Sequence, residues 1–154
     1  MIKHIKCDIF ESGADVICHQ VNCQGVMGSG IAKQVKEKYP WVYKEYLDFC
    51  KIYKGHEDQM LGKILSVPIN ETQTVCNCFG QFKYGYNGDL YTNYNALCNI
   101  FNTLRYNNPN KIIAIPYLIG CARGGGDWNV VYEMIEAIFE DYNGEVLICE
   151  YNGG

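Results

Sequence analysis

Two glycine-rich stretches carry the residues best suited to chemistry. The first runs His19-Gln-Val-Asn-Cys-Gln-Gly-Val-Met-Gly-Ser-Gly-Ile-Ala32 and the second Gly120-Cys-Ala-Arg-Gly-Gly-Gly-Asp127. Glycine tolerates positive φ and leaves main-chain amides uncovered, so a ligand can touch the backbone directly. Each stretch follows an apolar run and leads into an amphipathic pattern. In such a strand, loop and helix succession, unpaired amides and the helix dipole favour negative charge. Taken singly, the first loop reads equally well as a tight turn with no ligand. The second loop shifts that balance, because two loops leaving strand ends can converge on one ligand, and two anion sites suit a diphosphate. No Lys-Ser or Lys-Thr follows the last glycine of the first loop, so it is not a Walker loop, and it lacks the GxGxxG spacing of a dinucleotide site.

The elements that must position these loops follow from periodicity. Ile2 to Asp8 and Asp15 to Val21 read as strands, the second feeding the first loop. A helix from Gly30 to Lys38 should stop before Pro40, because the residue ahead of a proline disfavours helical torsions. Pro40 then suits the first turn of a second helix, whose Trp41, Tyr43, Tyr46, Leu47, Phe49, Cys50 and Tyr53 recur at helical spacing. Leu61 to Ile69 and Gln73 to Phe79 read as strands, and Gly80 to Gly88 as a third loop rich in glycine and aromatics. Tyr91 to Tyr106 predicts a third helix, and Lys111 to Ile119 a continuous apolar strand of the kind buried on both faces. Trp128 to Tyr142 predicts a fourth helix and Gly144 to Tyr151 a last strand. Six strands interleaved with four helices predict a single three-layer α/β domain over residues 1–154. Its ligand should lie beyond the carboxyl ends of the central strands.

Composition narrows the classes. A hydrophobic content of 48% with 19% charged residues belongs to a folded chain rather than a disordered one. No apolar run approaches the roughly 20 residues of a membrane span, and the first residues do not resemble a signal peptide, so a cytoplasmic location is expected. The nine cysteines are odd in number and scattered; Cys7, Cys18, Cys76, Cys78 and Cys149 fall in strand-like runs, where thiols act as small apolar residues. Cys76-Asn-Cys78 is too closely spaced for a zinc knuckle, so reduced structural thiols are expected. A formal charge of −4 argues against a generic nucleic-acid-binding surface, which needs clustered basic residues. The thirteen tyrosines read as half-buried packing residues rather than nucleobase platforms.

Over nearly the whole chain these residues resemble the macro domain, the ADP-ribose-binding fold. The likeness is carried by His19 to Ala32, by Leu61-Gly-Lys63 with the strand after it, and by Ile115-Pro-Tyr-Leu-Ile-Gly-Cys-Ala-Arg-Gly-Gly-Gly-Asp-Trp128. The chain is most similar to the branch holding yeast-type ADP-ribose 1″-phosphate phosphatases and ADP-ribosyl-glutamate hydrolases. The first loop, followed by Lys38-Tyr-Pro40 and an aromatic helix, is similar to the phosphatase type. The resemblance implies a three-layer α/β/α fold with a mixed central sheet of about six strands. It implies that Asp8, with Ile9 beside it, accepts a hydrogen bond from an adenine amino group; Tyr151-Asn152 reads first as a surface-exposed strand end and alternatively as a flank to the base. Asn22 would sit near the distal ribose, and the amides of Gly28, Ser29, Gly30, Ile31 and Ala32 would cradle one phosphate. Ile119, Gly120, Cys121, Ala122, Arg123, Gly124 and Gly125 would hold the other phosphate and close over the distal ribose. Amides are fixed donors that need no lysine, which explains how an acidic protein can bind an anion.

The same resemblance places His19 at the position of a histidine implicated in the phosphatase type. Its intrinsic pKa near neutrality suits a general acid or base; the alternative is a strand histidine hydrogen-bonded inside the core. Asp127 either orients water or a ribose hydroxyl, or caps the helix that begins at Trp128. Glutamate-ADP-ribose hydrolases of this branch use a lysine and an aspartate. Here Gly124 stands at the aspartate position and Lys83 matches the lysine only loosely. The expected function is hydrolysis of a group from the distal ribose of ADP-ribose, with the 1″-phosphate as leading substrate. The alternatives are removal of mono-ADP-ribose from protein carboxylates or nucleobases, and a non-catalytic ADP-ribose reader. The expected partner is ADP-ribose or an ADP-ribosylated substrate, with nucleic acid only as an ADP-ribosylated target and no membrane. A monomer without metal or cofactor is expected.

Overall fold

A computed structural model of the chain describes residues 1–151; Asn152, alternatively a flank to the adenine, lies outside the described residues. The described residues form β1 (Ile2–Lys6), β2 (Val16–Val21), α1 (Gly30–Lys38), α2 (Pro40–Ile52), β3 (Ile64–Pro68), β4 (Thr74–Phe79), α3 (Tyr94–Asn107), β5 (Ile112–Pro116), α4 (Trp128–Ile138) and β6 (Glu145–Glu150). The strands make one sheet in the order β1-β6-β5-β2-β4-β3, parallel except for the antiparallel pair β3 and β4. The mixed six-stranded sheet is the one expected.

Strand alternation sorts the core into two layers. From β2, Val16 and Cys18 point with Ile113, Ile115, Val146 and Ile148 toward Leu97, Ile100 and Phe101 of α3 and Val131 and Ile135 of α4. Ile17 and Val21 point the other way, with Val75, Phe79 and Ala114, toward Val35 of α1 and Val42 and Tyr46 of α2. Two helices therefore cover each face. No described helix is long and apolar enough to cross a membrane.

Several boundaries fall inside the sequence expectation, each for a local reason. The first strand stops at Lys6 because the Asp8 carboxylate accepts from the Phe10 amide at 3.0 Å and caps a short 3-10 turn over Ile9–Glu11. The fifth stops at Pro116, where the Ile119 amide turns back onto the Pro116 carbonyl and Leu118 takes a left-handed φ of 65°. The third helix begins at Tyr94 rather than Tyr91, with the Asn93 side chain accepting from the Ala96 amide as N-cap. The fourth ends at Ile138, short of Tyr142.

The pairing of β2 matters most for function. It matches β4 along its whole length, from Val16↔Thr74 to Val21↔Phe79, but matches β5 only at Val16↔Ile113 and Ile17↔Ala114. Beyond those residues the two central strands part. Both glycine loops leave their carboxyl ends at that opening.

Candidate functional site

The opening between β2 and β5 holds a cavity of about 290 Å³. The first loop contributes Asn22, Val26, Gly28, Ser29, Gly30, Ile31 and Ala32 to its wall, and the second contributes Ile119, Gly120, Ala122, Arg123 and Gly124. Cys121 and Gly125 are not in the lining: their amides are consumed inside the loop, by the carbonyls of Leu118 at 2.8 Å and Ala122 at 3.3 Å. A second cavity of about 250 Å³ lies on the β1 side and holds Asp8, Ile9 and Tyr151. The two share Ile31, Pro116, Tyr117 and Leu118, so one elongated ligand can span both. The Asp8 capping bond uses Oδ1 alone.

The first loop is shaped by its own side chains. Asn22 Oδ1 accepts from the amides of Gln24 at 3.0 Å and Val26 at 3.3 Å, and its Nδ2 donates to the Val26 carbonyl at 2.8 Å. The buried Tyr46 hydroxyl donates to both oxygens of Asn22, at 2.7 and 2.9 Å, and burial pushes its pKa well up, so it stays a donor. Asn22 thus spends most of its hydrogen-bonding capacity on the loop. At α1, Ser29 is the N-cap by position but makes no side-chain cap bond, and no acidic residue occupies the first turn. The opening amides of that helix have no intrahelical acceptor, and Gly30, Ile31 and Ala32 line the cavity, the arrangement that takes an anion. Gly30 has φ of 59°, which an L side chain resists.

The second loop is clasped by the residues just ahead of α3. The amides of Tyr91 and Thr92 donate to the Gly124 carbonyl at 2.7 and 2.9 Å, and Thr92 Oγ1 donates to the Gly120 carbonyl at 2.6 Å. Gln20 Nε2 donates to Thr92 Oγ1 at 3.0 Å and to Gln81 Oε1 at 2.7 Å, joining β2 to the same network. Gly124 is enclosed by it: a Cβ there would lie 2.3 Å from Thr92 Oγ1 and 2.6 Å from the Gly120 carbonyl oxygen. An aspartate at this position has no room.

His19 is 2% exposed and lines the cavity on the α1 and α2 side of the sheet. Its Nε2 lies 2.6 Å from Asn77 Oδ1, while Asn77 Nδ2 donates to the Leu65 carbonyl at 2.9 Å. That second bond sets the amide so that its oxygen faces the imidazole, which places the proton on Nε2 and a lone pair on Nδ1. Burial pulls the His19 pKa down to about 4, against an upward pull from Asn77. The near-neutral titration expected of this residue is therefore absent, because the charged form is desolvated. Among the described residues, His19 Nδ1 and Gln20 Oε1 are buried side-chain atoms without a hydrogen-bond partner, and both residues line the cavity.

Asp127 stands outside the lining and accepts from the Asn129 amide at 2.9 Å as N-cap of α4. Lys83 is exposed and outside the lining too. Burial, and then the charge of Asp127, push the Cys121 thiol up to about 11, which disfavours the thiolate. No group of three or more metal-ligating side chains gathers among the described residues. The reading of the sequence missed Asn77, Gln81 and Thr92, and the wall residues Tyr84 and Tyr86. Asn77 had a signal, an amide inside an otherwise apolar strand run. Thr92 had none, since its role depends on a contact 28 residues away.

No family model matches the chain. An ADP-ribose 1″-phosphate phosphatase of Debaryomyces hansenii is 36% identical over 74 residues, which span 44% of this chain and 41% of that protein. A DNA ADP-ribosyl glycohydrolase of Mycobacterium tuberculosis is 26% identical over 143 residues, 91% of this chain but 39% of that protein. The chain thus matches about two fifths of the length of each of these relatives. The macrodomain of Thermus aquaticus DarG superposes with a TM-score of 0.78 at 22% identity, covering 99% of this chain and 98% of that one. The fold is that of the macrodomain.

Proposed function

We propose that this chain, a macrodomain by fold, binds ADP-ribose across its two joined cavities and hydrolyses a group from the distal ribose, with ADP-ribose 1″-phosphate as leading substrate. The observation that carries the reading is the cavity between β2 and β5. It is walled by the open amides of α1 and by the clasped second glycine loop, with no carboxylate among its described lining residues. Fixed amides in such a place favour a diphosphate without lysines. The neighbouring cavity offers Asp8 as acceptor for an adenine amino group. The partial likeness to the phosphatases supports the choice of leaving group.

In this reading neutral His19 takes a proton from the attacking water at Nδ1, water oxygen bonds to phosphorus, the P–O bond to the 1″-oxygen of the distal ribose breaks, and that oxygen takes the proton back from His19 to become the hydroxyl. A base with a pKa of about 4 is weak at neutral pH. Most of the acceleration then has to come from amides stabilising negative charge. Calorimetry with ADP-ribose, followed by phosphate release from its 1″-phosphate, tests the whole. ADP-ribose should bind at one site and AMP far more weakly, because AMP reaches only half of the joined cavities. Equal affinity for both refutes the two-loop cradle.

A second reading, release of ADP-ribose from a nucleobase, rests on the longer match to the DNA ADP-ribosyl glycohydrolase. It uses the same cradle and is assayed on ADP-ribosylated DNA. Binding without release from either substrate leaves a reader.

A further inference from the structure

We propose that Arg123, held over the ring of Tyr86, selects for a phosphate on the distal ribose; the proposal rests on the ADP-ribose reading above. Among the described residues lining the main cavity, Arg123 carries the one permanent charge, and no Asp or Glu joins it. Its guanidinium carbon sits 4.4 Å from the centroid of Tyr86, and no ion pair engages it among the described carboxylates. Tyr86 meets Tyr84 edge-on at 6.4 Å, so the ring beneath the cation is itself braced. A cation–π contact uses the face of a guanidinium and leaves its N–H edge free, the edge that grips phosphate bidentately.

Position supplies the rest. The cavity of Asp8 lies toward β1, β6 and β5, whereas the segment carrying Tyr84 and Tyr86 follows β4 on the far side of β2. That segment is tied to the first loop, with the Cys23 amide donating to the Phe82 carbonyl at 2.9 Å and the Tyr84 amide to Gln24 Oε1 at 3.0 Å. With adenine beside Asp8 and the diphosphate between the glycine loops, the Arg123 end receives the distal ribose and whatever is attached to it. The guanidinium occupies one face of Tyr86, and its free donor edge suits a phosphate dianion.

Binding of two ligands separates this role from the alternatives. One is ADP-ribose; the other is its analogue with a phosphonomethyl group at C1″, which carries the same anion and cannot be hydrolysed. The wild type should bind the analogue more tightly by on the order of tenfold or more, the usual worth of a charged hydrogen-bonded pair. Arg123→Gln should erase that preference, lowering affinity for the analogue by on the order of tenfold more than affinity for ADP-ribose, and Arg123→Lys should keep part of it as a point charge. Tyr86→Leu should reduce the preference by freeing the guanidinium. Arg123 is exposed, so its variants should keep the wild-type melting midpoint. Equal loss of both ligands in Arg123→Gln would place the guanidinium on the diphosphate and overturn the proposal. A wild type with no preference overturns it too, while ADP-ribose binding still stands. A wild type that binds neither ligand defeats the ADP-ribose reading, and this proposal with it.

Discussion

His19 Nε2 and Asn77 Oδ1 stand 2.6 Å apart on register-paired positions of β2 and β4. The bond holds one imidazole nitrogen, and burial keeps the ring neutral with a pKa of about 4, below the ordinary histidine value of about 6.5. Between those values the unfolded chain binds a proton that the folded chain does not. Stability should therefore be complete above about 6.5 and fall as pH drops toward 4, by about 3 kcal/mol over the whole interval. Denaturant titrations on either side of the interval measure it, and His19→Gln should flatten the slope. In the same preparations His19→Ala should lower turnover by on the order of a hundredfold with ADP-ribose affinity kept. A folded His19→Ala protein working at the wild-type rate sinks the proton-accepting role.

Gly30→Glu should abolish ADP-ribose binding in a protein that still folds. A Cβ at Gly30 meets nothing within 4 Å, so packing tolerates it, although the positive φ strains it. The added carboxylate would lie beside the α1 amides and repel the phosphates. Calorimetry and circular dichroism on one sample decide it; intact binding would show that this loop does not face the ligand.

Gly124→Asp restores the aspartate of glutamate-ADP-ribose hydrolases on paper, yet it should remove binding rather than confer that activity. The new Cβ would collide with Thr92 Oγ1 and the Gly120 carbonyl. Displacing them undoes the clasp that shapes the second loop. Release of ADP-ribose from a modified glutamate by this variant would contradict the geometry.

Asp127→Ala should cost about 1 kcal/mol of stability and leave turnover nearly unchanged, as expected of an N-cap. Chemical denaturation and a rate assay read the two quantities separately. A large loss of rate in a stable variant would return the carboxylate to the chemistry.

Much of this arrangement was legible from local pattern. Helix α1 runs over Gly30–Lys38 as its periodicity predicts, and Pro40 opens α2 because a proline there forfeits no hydrogen bond. Both glycine loops announced themselves by composition. What escaped was whatever depends on residues distant in sequence. That Asp127 caps α4 is visible only once its neighbours are placed. His19 looked titratable near neutrality because its burial is a property of the assembled sheet. The clasp of Thr92 on Gly120 and Gly124 leaves no periodic trace, and the parting of β2 from β5 is a matter of register between strands far apart in the chain.

The clasp also bears on how a ligand arrives. Gly120 and Gly124 are fastened to Thr92 by bonds within the protein itself, and Gln20 fastens Thr92 to the sheet. Little chain entropy is left to surrender on encounter. Association should accordingly follow a single exponential whose rate rises linearly with ligand concentration, with no slow closing phase. Differences in affinity among ligands should then appear as differences in residence time.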